Sequence, residues 1–231
     1  MLNTDRFEEF ISQYPIYEYR LVDTAEIEVR ERVRIICKQE CERYGTTWAC
    51  PPAVGSLEEC GKRIHSYPNG ILFSSVAEVS DVMNMAEMLA TRDAHEELTT
   101  EVAGFLKGEG FETFTLSTES CDLCEHCAYL DGKPCRFPEK MHPCLESHGV
   151  VVNELVEHHS MEYNLGGNTI LWFSLVLFRQ RAWSVNCKSE WKENLPHKLE
   201  IKTGRLFLCL YQNVLWQLWN FLVTCPVKPL L

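Results

Sequence analysis

The sequence predicts an α/β protein, with α+β as the alternative: a small mixed sheet with helices, carrying cysteine-rich metal-binding loops at its edge. Two observations carry this. Short apolar runs of strand length recur along the chain, and helical spacing separates the first two of them. A third fact, the gathering of most cysteines into two short groups, places the chemistry in the connections.

Near the start, "YEYRLV" reads as an edge strand, and residues 26–43 read as helical. "GILFSSV" (70–76) is a buried strand, apolar and followed by polar residues. Ser80 is placed to cap a helix in which Val82, Met85, Met88 and Leu89 recur at helical spacing. Leu98, Val102 and Phe105 repeat that spacing, and Gly108 and Gly110 close the segment. "FETFTLS" (111–117) alternates as a strand does, and the order strand, helix, strand argues for a crossover with parallel strands. "EKMHPCLESHG" reads as a short helix with Pro143 in its middle. "NTILWFSLVLF" (168–178) reads as a further buried strand.

The composition changes after Phe178. Up to there the chain carries 14 basic and 30 acidic residues; from Arg179 onward it carries 8 basic and 3 acidic, with four of the six tryptophans. The chain thus divides into a cysteine-rich metal-binding domain over 1–178 and a basic, Trp-rich extension over 179–231. Within the latter, "LFLCLYQNVLWQLWNFLV" (206–223) has no charge but holds four amide side chains. It is at the lower limit of a membrane span, and equally fits an interfacial or buried helix. The alternative for the whole extension is an unstructured segment such as an altered reading frame would produce.

A net charge of −11 repels phosphate backbones, and no basic patch suits nucleic acid. The start "MLNTDRFEEF" lacks the basic and apolar regions of a secretory signal, so a cytoplasmic location is expected. In a reducing compartment, twelve cysteines argue for thiolate ligation over a disulfide framework.

Cys121, Cys124 and Cys127 follow C-x2-C-x2-C, with Cys135 eight residues on. Three ligands in seven residues wrap a loop around one compact object, and ferredoxins hold [4Fe–4S] clusters with this triple spacing. Zinc knuckles come more often as two separated C-x2-C pairs, so the cluster is the first reading and zinc the alternative. The fourth position departs from the ferredoxin pattern: the gap before Cys135 is seven residues, and Pro138 follows at a distance of three. In the first group, Cys37 and Cys41 stand at i and i+4, so a helix points both thiols from one face. Tyr44-Gly45 would end that helix, and Cys50 precedes the stiff Pro51-Pro52. Cys60 or His65 is a candidate fourth ligand of this second set; the alternative makes two of these thiols buried small hydrophobes.

"C-x3-C…YG…W-x-CPP" followed by "C-x2-C-x2-C…PCRFPEKM-x-P…G" resembles an uncharacterised cysteine-rich family of predicted metal-binding proteins, found largely in anaerobic bacteria and archaea. The likeness runs from about residue 5 to Phe178. It implies that Cys37, Cys41, Cys50, Cys121, Cys124, Cys127 and Cys135 are the family's metal-binding cysteines. Two departures stand out: Cys144 in "HPCLE", where a serine is expected, and the tail after Phe178, where such proteins usually stop. The family supplies no established reaction.

His158-His159 could ligate a metal, with a solvated pair as the alternative. Arg136, between Cys135 and Phe137, could donate hydrogen bonds to cluster sulfurs, with a surface arginine as the alternative. No Gly-rich phosphate loop, nucleophile elbow or His-Glu zinc helix is present. The expected role is an iron–sulfur protein with one [4Fe–4S] cluster and room for a second site. It would pass electrons to a redox partner protein or act as accessory to a redox enzyme, rather than as an enzyme itself. The alternatives are a structural zinc module and a metal or cluster carrier. A membrane enters only if 206–223 is a genuine apolar helix.

Overall fold

A computed structural model describes residues 2–181. The expected extension 179–231, with its apolar stretch 206–223, lies beyond its first three residues outside the described residues. Among those described, no helix is long and apolar enough to cross a membrane.

The chain opens with α1 (Thr4–Ile11), capped by the Asn3 side chain, and β1 (Ile16–Asp23). A 3-10 turn over Thr24–Glu26 leads to α2 (Glu31–Glu40). The helix expected over 26–43 is thus shorter at both ends. After a turn-rich segment come α3 (Leu57–His65), opened by a reciprocal Ser56–Glu59 capping box, and β2 (Asn69–Glu78). The next helical stretch is split into α4 (Met85–Ala90) and α5 (Arg92–Gly108). Asn84 caps α4, not Ser80; Ser80 instead gives its backbone N–H and hydroxyl to the Glu87 carboxylate. Then come β3 (Phe111–Leu116), α6 (Val152–His158) and β4 (Thr169–Gln180). The helix expected around Pro143 is absent: a bridge at Cys144 and a 3-10 turn over Glu146–His148 stand there.

The four strands form one sheet in the order β1-β2-β4-β3, and every neighbouring pair is antiparallel. The expected crossover exists, since β2 and β3 both run against β4 and hence parallel to each other. They do not pair, because β4 lies between them. The fold class is as expected, with an antiparallel sheet in place of a mixed one.

Strand alternation splits the core into two faces. Ile71 and Phe73 of β2 with Val176 and Phe178 of β4 meet Phe7 of α1 and Leu98, Val102 and Leu106 of α5. On the other face, Leu72, Leu175 and Leu177 meet Ile64 of α3 and Leu155 and Val156 of α6. β4 is covered on both faces, which is why Trp172–Phe178 is buried without a break. Each such apolar side chain contributes about 2 kcal/mol of burial.

One polar network runs through this core. His95 of α5 is fully buried, with Nδ1 2.7 Å from Ser75 Oγ of β2 and Nε2 2.8 Å from Ser174 Oγ of β4. Thr99 and Ser117 hydroxyls close on Ser174 at 2.8 and 3.0 Å. A satisfied buried network of this kind fixes how α5 sits on the two central strands.

Gly149 fastens the other face. It has φ +81, and its carbonyl accepts the Arg30 N–H at 2.7 Å. A Cβ there would collide with Leu57 Cδ1 and come within 3.4 Å of the Arg30 backbone. Gly149→Ala is expected to lower the unfolding free energy by about 2 kcal/mol, through strain at positive φ and overpacking. Urea denaturation should show a lower midpoint at unchanged slope.

Candidate metal centre

The second cysteine group sits on an excursion from the end of β3 that leaves and returns at one residue. Ser117 N–H donates to Pro143 O at 2.8 Å, and Leu145 N–H donates to Ser117 O at 3.1 Å, pairing Ser117 with Cys144 in a parallel bridge. Between these ends, Cys127 begins a short 3-10 turn over Ala128–Asp131, which Gly132 closes at φ +65. Ala128 is buried beneath it and its carbonyl accepts the Lys133 N–H at 2.9 Å. That fold-back returns Cys135 to the C-x2-C-x2-C segment.

Cys121, Cys124, Cys127 and Cys135 all line one small pocket, together with Thr47, Trp48, Arg136 and Phe137. All four thiols are free and partly buried. Burial pushes the Cys121 thiol up from its ordinary value, and the nearby Cys135, Asp122 and Cys127 add to the shift. Among the described residues, no three cysteine sulfurs all lie within 4.8 Å of one another. Arg136 donates to the His126 carbonyl at 2.7 Å, so besides lining the pocket it staples the loop to itself.

The first cysteine group is packed against this loop. Trp48 Nε1–H donates to Lys133 O at 2.9 Å, and its ring meets Tyr129 edge-on at 5.1 Å. Arg43 donates to Cys121 O at 2.7 Å. Cys50, buried, gives its thiol hydrogen to Ser120 Oγ at 3.1 Å, one residue ahead of Cys121. The two cysteine groups, about seventy residues apart in sequence, are thus neighbours across Thr47, Cys50 and Ser120.

Within that first group, Cys41 is off the helix: α2 stops at Glu40, and Cys41 is extended at φ −89, ψ 119. The chain turns there, through Tyr44 N–H to Cys41 O and Thr46 N–H to Arg43 O, because the segment must swing Cys50 toward Ser120. Cys37 and Cys41 nonetheless stay close. Burial raises the Cys37 thiol first, and Cys41, Glu146 and Cys50 raise it further. Cys144 belongs to the same neighbourhood: burial holds its thiol well above the ordinary range, with Glu146 and Cys50 adding to the effect. Its sulfur accepts the Ser147 N–H at 3.3 Å. Glu146 beside it is pushed up to about 7, again by burial.

The fourth-ligand candidates of this set have partners of their own. Cys60 is fully buried, donates to Val54 O and receives Arg34 at 3.6 Å, and its electrostatic neighbours are Arg34, Arg63 and Glu59. His65 Nε2 engages Ile27 O at 3.0 Å. Cys144 shares the neighbourhood of Glu146 and Cys50, which sequence spacing could not assign because its place depends on the bridge to Ser117. Arg34 braces the region, donating to Ser147 O at 2.7 Å and to Gly55 O at 2.8 Å.

Sulfur-rich donor sets of this kind suit zinc, copper(I) or iron–sulfur clusters, and not hard oxygen-seeking cations. A comparison with known families agrees at that coarse level: the family described as predicted metal-binding protein (DUF2284) matches residues 20–178. The match begins after α1, later than the likeness from about residue 5 that the motifs suggest, and ends at Phe178 as expected. No curated protein and no solved structure matches the chain.

Proposed function

The chain belongs to this family of predicted metal-binding proteins, and from that premise we propose that it is an iron–sulfur protein carrying a [4Fe–4S] cluster in the 121–135 loop. The observation that carries the reading is the gathering of Cys121, Cys124, Cys127 and Cys135 around one pocket, with the C-x2-C-x2-C spacing by which cluster-binding loops wrap a compact centre. A bound cluster supplies one-electron transfer, at a potential set by solvent exposure and by hydrogen bonds to its sulfurs.

The chain's own residues tune that exchange. Trp48, Phe137 and Met141 cover the pocket's apolar side, while Leu123, about half exposed, marks the rim by which electrons reach a redox partner protein. Cys37, Cys41 and Cys50, with Cys144 beside them, form a second group of thiols next to the first. Its nearness favours a second cluster as electron relay, and no substrate pocket is required for that role.

Anaerobic purification followed by iron, acid-labile sulfide and electron paramagnetic resonance tests this. Iron and sulfide in equal amounts, with a visible band bleached by dithionite, are the expected result. A colourless protein with stoichiometric zinc would overturn it in favour of a structural zinc module. That second reading draws on the way the loop is stapled by Arg136, Trp48 and Gly132, as a folding site would be.

A further inference from the structure

Away from the cysteines, the structure brings three other metal-binding side chains together. Glu26 closes the 3-10 turn after β1, where Asp23 Oδ1 accepts the Ala25 N–H at 2.9 Å and Thr24 is buried. His158 ends α6 and His159 stands next as its cap. The chain then turns sharply at Ser160, φ 54, with Met161 N–H returning to Val156 O at 3.0 Å. This tight finish keeps the two imidazoles side by side, ring centres 5.0 Å apart and nearly perpendicular.

The ligand atoms of Glu26, His158 and His159 all lie within 4.8 Å of one another, the one such trio of histidine, cysteine or acidic residues among the described residues. Glu26 Oε2 is 3.5 Å from His158 Nε2. A second observation points the same way. His159 Nε2 is buried and has no hydrogen-bond partner, although a buried ring nitrogen without one is costly. Arg20, a neighbouring cation, does not satisfy it: its guanidinium donates to the carbonyls of His159 and Ser160 at 3.2 and 3.0 Å, and to Glu18. The unsatisfied nitrogen is of the kind that a metal ion completes.

We propose that Glu26, His158 and His159 form a separate site for a borderline divalent transition metal, zinc(II) or cobalt(II) in class, independent of the cysteine centre. Two imidazoles and one carboxylate make a donor set that such ions accept, with a remaining position for water. Hard cations such as calcium, which need six or more oxygens, do not fit it. Glu26 and His158 also line a cavity of ≈ 240 Å³ with Glu28, Arg30 and Glu154, so an ion has a path from solvent. Bound metal would tie the end of α6 to the turn after β1.

The test is cobalt(II) titration of the full chain carrying its resident metal. One further cobalt per chain is expected, with d–d absorption and no new sulfur-to-cobalt charge-transfer band. His158→Gln and Glu26→Gln, both at exposed positions, should each weaken that binding by more than about 100-fold, beyond the range of outer-shell changes. Far-UV circular dichroism should be unchanged. Binding by both variants as tight as the parent's, a charge-transfer band with the added cobalt, or no cobalt beyond the resident metal would each overturn the proposal. None of these results depends on whether the resident metal is iron or zinc.

Discussion

Serine at both Cys124 and Cys127 should strip the 121–135 loop of its metal while leaving the sheet folded. Two of the four sulfurs facing that pocket are then gone, and the two that remain, Cys121 and Cys135, cannot retain an inorganic centre alone. The fold survives because neither cysteine belongs to the two apolar clusters on either side of the sheet. The loop's ends are also tied at Ser117 by backbone hydrogen bonds that do not involve these residues. Iron per chain should drop by the whole content of this centre. What stays behind reports on the other set: iron persisting in the double variant, and lost only when Cys37 and Cys41 are also replaced, means two clusters. Complete loss means one. Full retention of iron and sulfide in Cys124→Ser/Cys127→Ser would exclude the proposed cluster position.

The second large effect is acid destabilisation through His95. Burial between β2, β4 and α5 is the dominant cause that pushes its value down from the ordinary 6.5 to about 4, against a smaller opposing pull from Glu96. Its two ring nitrogens sit on serine hydroxyls that satisfy the neutral ring, and neither nitrogen meets a carboxylate directly. Between pH 6.5 and 4 the unfolded chain therefore binds a proton at this residue that the native protein refuses. Stability from this group is complete above pH 6.5, declines as pH falls through that window, and is level below it. The loss amounts to about 3 kcal/mol, at about 1.4 kcal/mol per pH unit.

His148, driven down to about 3 by burial and then by Arg63 and Arg34, extends the same trend to lower pH. Glu146 acts with the opposite sign: raised to about 7, it favours the native state below its ordinary 4.5 and loses that contribution as pH rises through 7. Acid also releases thiolate-bound metal. A comparison of the parent with His95→Asn isolates the one group. Asparagine can still hydrogen-bond to Ser75 but does not titrate, so the variant should start less stable and lose about 3 kcal/mol less between pH 6.5 and 4 by urea denaturation. Parallel stability profiles would show that His95 is not the proton acceptor.

The strands were legible in the sequence because burial on one or both faces writes them as apolar runs. Phe173, Leu175, Val176 and Leu177 of β4 could hardly be anything else. Their pairing was not legible. Strand, helix, strand fixes that β2 and β3 point the same way, but whether a later strand enters between them is a long-range packing outcome, and β4 does enter. Local competition hid smaller features too. Asn84 and Ser80 both have capping chemistry, and only the fold shows that Glu87 occupies Ser80. For the cysteines, the tight spacing of Cys121, Cys124 and Cys127 was enough to gather them, since little chain separates them. The wider first group depended on turns at Cys41 and Gly45 and on a bridge at Ser117, none of which has a residue-spacing signature. Cys60 and His65 looked equally available, yet core burial and a backbone carbonyl claim them.

The excursion that leaves the sheet at Ser117 and rejoins it there has a practical corollary. Because its entry and exit coincide, residues added or removed along it shift no strand relative to its neighbour, and the entropic cost of lengthening rises only logarithmically. The sulfur-bearing insert behaves as exchangeable cargo on a fixed frame. Grafting a shorter or longer metal loop between Ser117 and Leu145 is accordingly a feasible route to redesigning the centre without rebuilding its host.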